Sequence, residues 1–227
     1  MPAPATPETA SPSAEVIPFS RLVRERSSGS HRDSEGAGFM SSLLKGDATR
    51  DDYIALVSQH WAIYEALEGV EPAMREVALV APFLSPALTR LPALETDLAF
   101  LIGDDWRERL VLVPATIEYA ARIREVAATW PPGYIAHHYT RYLGDLSGGL
   151  HIGRVIGRQF GFETNGIGFY LFDQIADPTA FKDAYRAQLD AAPWAPGEQE
   201  RVVDEVLRAY DFNTRIFEQL SARTAAA

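Results

Sequence analysis

An all-α, single-domain fold of about eight helices is predicted by three features of the sequence. Apolar residues recur at intervals of three and four over long stretches, runs of alternating apolar and polar residues are missing, and Gly or Pro punctuates the periodic stretches at helix-length intervals.

Residues 1–18, MPAPATPETASPSAEVIP, hold five of the 15 prolines and no aromatic residue, which predicts a disordered N-terminal tail. The folded domain is predicted over 19–221, with 222–227 frayed. The stretch SSGSHRDSE, residues 27–35, carries Gly29 among serines and predicts a first helix that starts late. Tyr53, Leu56, Val57, His60, Trp61, Tyr64 and Leu67 form an apolar stripe in which His60 reads as a core residue. A second stripe runs through Leu84, Leu88, Leu91, Leu94, Leu98 and Leu101, with Pro82 and Pro86 near its start. The third covers His137 to Phe160, where His137 and His138 lead into a glycine-rich helix. After the Pro196-Gly197 break a last stripe holds Val203, Val206, Leu207, Tyr210, Phe217 and Leu220. Breaks are expected near Gly46, Pro72, Gly103, Pro131-Pro132, Gly161–Gly168 and Pro193–Gly197.

A chain of 227 residues with 47% hydrophobic and 11% aromatic content buries a real core. Twenty-one basic and 31 acidic residues give a formal charge of −10, which argues against a surface built for nucleic acid. The absence of cysteine excludes disulfides, thiolate metal sites and cysteine nucleophiles. No membrane span or signal peptide is recognisable, so a cytoplasmic protein without a membrane partner is expected.

The most informative segment is HHYTRYLGDLSGGLHIGRVIGRQF, residues 137–160. Its helical period is unbroken by proline, yet Gly144, Gly148, Gly149, Gly153 and Gly157 lie inside it. Each glycine costs about 0.5–1 kcal/mol relative to alanine in a helix interior. Two smooth faces result, one through Gly144 and Gly148, the other through Gly149, Gly153 and Gly157. One explanation is close packing of another element, the other a flat ligand lying on the backbone. Asp145, with Arg141 one turn earlier, favours the ligand, because a carboxylate suits a polar pocket better than a dry seam.

Histidine and carboxylate spacings for zinc, di-iron or calcium sites are missing. His31 is followed four residues later by Glu35, the spacing of an imidazole ligand with an acceptor for its other N–H, and equally of a solvated surface pair. Lys182 and Arg186, one turn apart, would repel unless an anion lies between them or Asp183 tempers them. Asn213, on the apolar side of the last helix between Tyr210 and Phe217, needs a hydrogen-bonding partner.

YLGDLSGG, residues 142–149, resembles the distal-helix signature of the haem oxygenases, particularly the soluble bacterial members used in iron acquisition. The resemblance extends from about Phe19 to Leu220. It implies that haem b is both cofactor and substrate, with His31 as the proximal iron ligand, Glu35 as its partner, and FMSSLLKG, residues 39–46, following. Gly144 and Gly148 would cover the other haem face, with Phe217 among the cofactor contacts. Asp145 would organise distal water with Arg141, Tyr64 and Asn213. Arg24, Tyr139, Lys182 and Arg186 would hold the propionates. The implied activity is cleavage of haem at the α-meso carbon by O2 and external electrons, giving biliverdin, carbon monoxide and ferrous iron. No flavin or nicotinamide fingerprint is present, so a ferredoxin or NAD(P)H-dependent reductase would be the electron donor. Two alternatives stand beside this reading: a haem storage or sensor protein, and an interaction module whose glycine groove receives a partner helix.

Overall fold

The computed structural model describes residues 17–36 and 38–224, without the side chains of 31–36 and 224. Most of the predicted tail, residues 1–16, therefore lies outside the described residues. The described chain is helical, and eight rods of two turns or more build it. They are α1 (Phe19–Gly36), α2 (Gly38–Lys45), α3 (Arg50–Gly69), α4 (Leu91–Ile102), α5 (Pro114–Thr129), α6 (131–160), α7 (Pro178–Ala191) and α8 (Glu198–Thr224). Short turns at Glu71–Met74 and Trp106–Arg109 and three 3-10 turns lie between them.

Local chemistry explains the boundaries. Thr49 and Asp52 form a reciprocal capping box at the start of α3: the Thr49 hydroxyl accepts from the Asp52 N–H at 3.1 Å, and the Asp52 carboxylate accepts from the Thr49 N–H at 2.8 Å. Asp177 caps α7 by accepting from the Thr179 and Ala180 N–H groups, with Pro178 in the first turn. Gly46 and Gly161 take positive φ, the left-handed conformation that stops α2 and α6.

Two expectations need correction. Helix α1 starts at Phe19 and runs straight through Gly29 and its serines, because its apolar side is packed against α8, and tertiary burial overrides weak propensity. The stripe from Leu84 to Leu101 is a helix only from Leu91. Pro82 and Pro86 confine Ala81–Phe83 and Pro86–Leu88 to isolated 3-10 turns, and the Glu68 carboxylate receives the Leu91 N–H at 3.1 Å where α4 begins.

Helix α3 is the central rod, packed against α4 and α5, and its Tyr53, Val57, Ile63, Tyr64 and Leu67 are fully buried. Helix α8 packs against α1, α5 and the first part of α6. A single carboxylate serves two of these junctions. Arg122 of α5 makes two parallel 2.8 Å hydrogen bonds to Glu205 of α8, and Nε2 of buried His137 in α6 lies 3.0 Å from the same carboxylate. Burial pushes the Glu205 carboxyl up, but the hydrogen bonds from Arg122 and His137 outweigh it and hold it at about 2. On α6's other side, His138 Nδ1 lies 2.9 Å from the Tyr185 hydroxyl of α7. The glycine-rich rod is thus tied to its neighbours immediately before its glycines begin.

Because the Glu205 carboxyl is depressed in the folded chain, its stabilisation is fully present above its ordinary pKa and is lost as pH falls towards 2. Glu205→Gln should therefore lower the unfolding free energy at pH 7 by roughly 3 kcal/mol. In denaturant titrations, the gap between variant and wild type should narrow steadily below about pH 4.5.

Candidate active site around the glycine-rich helix

Helix α6 is regular over Pro131–His138 and Leu150–Phe160, and widens into π-helical turns over Tyr139–Leu143 and Asp145–Gly149. Such turns carry one extra residue and frequently mark functional sites. None of the five interior glycines has positive φ, so missing side chains rather than backbone freedom account for them.

The two smooth faces have separate uses. A Cβ on Gly153 would lie 2.9 Å from Tyr170 Cβ, one on Gly157 2.9 Å from the Phe162 carbonyl oxygen, and one on Gly149 3.3 Å from the Tyr170 ring. That face is a packing seam against the Gly168–Tyr170 turn. Asp97 of α4 pins this segment by accepting the N–H groups of Gly166, Gly168 and Phe169 at 2.7, 3.0 and 2.8 Å. Buried Arg90 donates to the Leu171 carbonyl at 2.6 Å and lies over the Phe172 ring. At Gly144 and Gly148 an added Cβ would meet nothing within 4 Å. Bare backbone there faces open space.

That space comprises two adjoining cavities, since Gly144 and Tyr210 line both. The inner cavity, of about 110 Å³, is bounded by Gly144, Asp145, Gly148, His60, Asn213 and Phe217 among others. Phe217 stacks in parallel on Phe39, which fixes the α2 side of this wall. The outer cavity, of about 360 Å³, lies between Arg24, Ser27 and Ser28 of α1 and Tyr139, Leu143, Gly144 and Ser147 of α6, with Arg186 at its edge.

Polar groups converge on the inner cavity. The Tyr64 hydroxyl donates to Asp145. Arg141 donates through Nη1 to Asn213 Oδ1 at 3.2 Å and through Nη2 to His60 Nδ1 at 2.7 Å, and its Nη2 stops 3.9 Å from Asp145 Oδ2. Burial pushes the Asp145 carboxyl above its usual range, opposed by Arg141, the Tyr64 hydrogen bond and Arg90. The Tyr170 hydroxyl is buried without a partner beside the same cavity. At the outer cavity, burial raises the Tyr139 phenol, opposed by Arg186 and Arg24. Arg186 pairs with Asp183 at 2.7 Å, and Lys182 donates to Ser147 at 3.1 Å. The repulsion expected between Lys182 and Arg186 is thus partly relieved within the protein.

The "Heme oxygenase" family model matches residues 17–219. The chain belongs to the heme oxygenase family. Among its curated relatives, heme oxygenase 1 of the cyanobacterium Synechocystis sp. is 35% identical over 90% of this chain and 85% of its own length, and human heme oxygenase 1 is 36% identical over 89% and 71%. Among solved structures, Synechocystis heme oxygenase-1 in complex with heme superposes with a TM-score of 0.87 at 34% identity, covering 91% of this chain and 94% of that one. Synechocystis heme oxygenase-2 in complex with heme and NO gives 0.88 at 29% identity, covering 92% and 88%. As heme oxygenases, the relatives are oxidoreductases, and the all-α fold expected from the sequence is the one observed.

In this heme oxygenase chain the structure brings Arg141, Gly144, Asp145, Gly148, Asn213 and Phe217 to one cavity, with Tyr64 buried behind it and bonded to Asp145, and Arg24, Tyr139 and Arg186 to its neighbour, with Lys182 beside the latter. His31 and Glu35 lie on α1, but their side chains fall outside the described residues. His60, read from the sequence as a core residue, is buried as expected and in addition lines the inner cavity and accepts from Arg141. Its signal was available: His60 precedes Tyr64 by four residues and so shares its helix face. No helix among the described residues is long and apolar enough to cross a membrane.

The division of the glycines is open to measurement. Gly153→Ala should destabilise by about 1–3 kcal/mol through overpacking against Tyr170. Gly144→Ala should leave stability unchanged or raise it by up to about 1 kcal/mol. Urea unfolding of the two variants without ligand tests the contrast.

Proposed function

We propose that this chain binds haem b in the space between α1 and α6 and degrades it as substrate, with His31 as the residue that would hold the iron and Glu35 as the hydrogen-bonding partner of His31. The observation that carries the reading is the bare, outward face of Gly144 and Gly148 beside a largely buried carboxylate held by Tyr64. A flat macrocycle fits such a face because an added Cβ there would occupy the space the ring needs. The helical period supports His31, since position 31 follows Arg24, Ser27 and Ser28 on one stripe of α1, and those three residues line the outer cavity. Relatives of the same fold have structures in complex with heme.

Bound haem supplies the iron at which dioxygen is reduced, and is itself the molecule cut. The surrounding residues then divide the work. Gly144 and Gly148 admit the ring face to the main chain. Asp145, with Tyr64, Arg141 and Asn213, holds water in the inner cavity and delivers protons from it. Phe217 supplies an apolar wall. Arg24, Tyr139, Lys182 and Arg186 bind the two propionates, which fixes rotation of haem in its own plane and so selects the α-meso carbon. The products are biliverdin, carbon monoxide and ferrous iron, with electrons from a ferredoxin or an NAD(P)H-dependent reductase.

A haemin titration followed by electrons under air tests this function. The wild type should develop a Soret band and then lose it as biliverdin forms, whereas a band that survives reduction would assign storage instead. His31→Ala should alter the band. Asp145→Ala should retain haemin but form biliverdin roughly a hundredfold more slowly.

The anchoring role has its own readout. The double variant Lys182→Ala, Arg186→Ala should yield mixed biliverdin isomers on chromatography, and a pure α-isomer from it would contradict the assignment.

A further inference from the structure

Arg141 and Asp145 sit one turn apart on the same helix, largely buried, yet they do not close into a hydrogen-bonded pair. Their approach ends at 3.9 Å, with side chains 6% and 16% exposed. Side chains so largely buried normally meet directly when one is an arginine and the other a carboxylate. Here Nη1 donates to Asn213 at 3.2 Å and Nη2 to His60 at 2.7 Å, Tyr64 is a further partner of the guanidinium, and Nε is buried with no partner, so the side chain is aimed by groups other than Asp145. Arginine only donates, so His60 Nδ1 accepts, and the imidazole is neutral with its proton on Nε2. Burial first, and the neighbouring Arg141 second, push the His60 pKa well down, which maintains that neutral form. Phe169 stacks on the imidazole at 4.9 Å between ring centroids, and Phe169 is itself anchored through its N–H to Asp97.

We propose that His60 is a positioning residue of the inner cavity: by accepting from Arg141 it holds that guanidinium off Asp145, so that the carboxyl carries protons instead of forming half of a closed ion pair. The holding geometry stands without haem, and its role in oxygen chemistry rests on the function proposed above. The groups facing Asp145 are Tyr64 from α3, Tyr119 from α5, Tyr170 from the turn below α6, Arg90 ahead of α4, and Arg141 on its own helix. Arg141 is the one among them whose tether ends on a replaceable acceptor. Without that acceptor, Nη2 still has the Asp145 carboxylate 3.9 Å away, and the pair should close.

The test is a carboxyl-carbon NMR titration of Asp145 in the full chain without haem, comparing wild type, His60→Leu and His60→Asn. Leucine fills the space but accepts nothing, whereas the asparagine side-chain oxygen takes the place of Nδ1. The Asp145 midpoint should fall by at least about one pH unit in His60→Leu, a tenfold loss of proton affinity. It should return to near the wild-type value in His60→Asn. Nitrogen NMR of wild-type His60 should show the neutral Nε2–H tautomer at pH 7. An unchanged midpoint in His60→Leu, an asparagine variant that behaves like leucine, or a protonated imidazole at pH 7 would each overturn the proposal. A purely structural role would lower the melting temperature of both variants without moving the midpoint. Haemin titration of the same samples keeps the two readings separate: failure of the wild type to take up haemin defeats the haem function, while the Asp145 midpoint still decides the role of His60.

Discussion

The organising constraint of this molecule is the partial burial of Asp145 in the middle of a helix. A carboxylate removed from water must be stabilised by nearby donors or hold its proton. Here the Tyr64 hydroxyl donates to it directly and Arg141 supports it from a distance. The supporting groups come from α3, α6 and α8, so the three rods must pack in one relative position for the carboxyl to be accommodated. Tyr64 is fully buried between the Tyr142 and Phe169 rings, which leaves its hydroxyl little freedom to turn away.

Glycines serve two opposed purposes within a few residues of that carboxylate. On one side of α6 they remove bulk so that Tyr170 approaches the backbone, and on the other they remove bulk so that nothing from the protein does. The π-helical turns fall where one purpose gives way to the other. Outside the cavity the Arg122–Glu205 ion pair, joined by His137, holds one flank of the rod, and a hydrogen bond between His138 and Tyr185 holds the other.

The fold class was readable because the apolar period of the long helices survives even through five glycines. Leu84 and Leu88 were misread for a specific reason: successive 3-10 turns also space apolar residues by about three or four, and only the two prolines distinguish them from a helix. At the site, Asp145, Arg141 and the Gly144–Gly148 pair were legible because a charge among glycines on a helix is costly without a use. The division between the glycine faces was not, since it depends on a segment that Asp97 folds beneath α6 from some 70 positions away in sequence. The cavity role of His60 was missed because it occupies a slot in an apolar stripe and its partner, Arg141, is 81 residues distant.

The hydrogen bonds by which Asp97 and Arg90 clamp residues 166–171 all go to main-chain atoms. Glycine at 166 and 168 belongs to this arrangement, since Gly166 takes positive φ and a Cβ on Gly168 would crowd Asp97. Tyr170 is the residue of the clamped segment that lines the inner cavity, and its side chain takes no part in the clamp. A substitution there would alter the chamber's lining while every bond to the frame behind it stays in place.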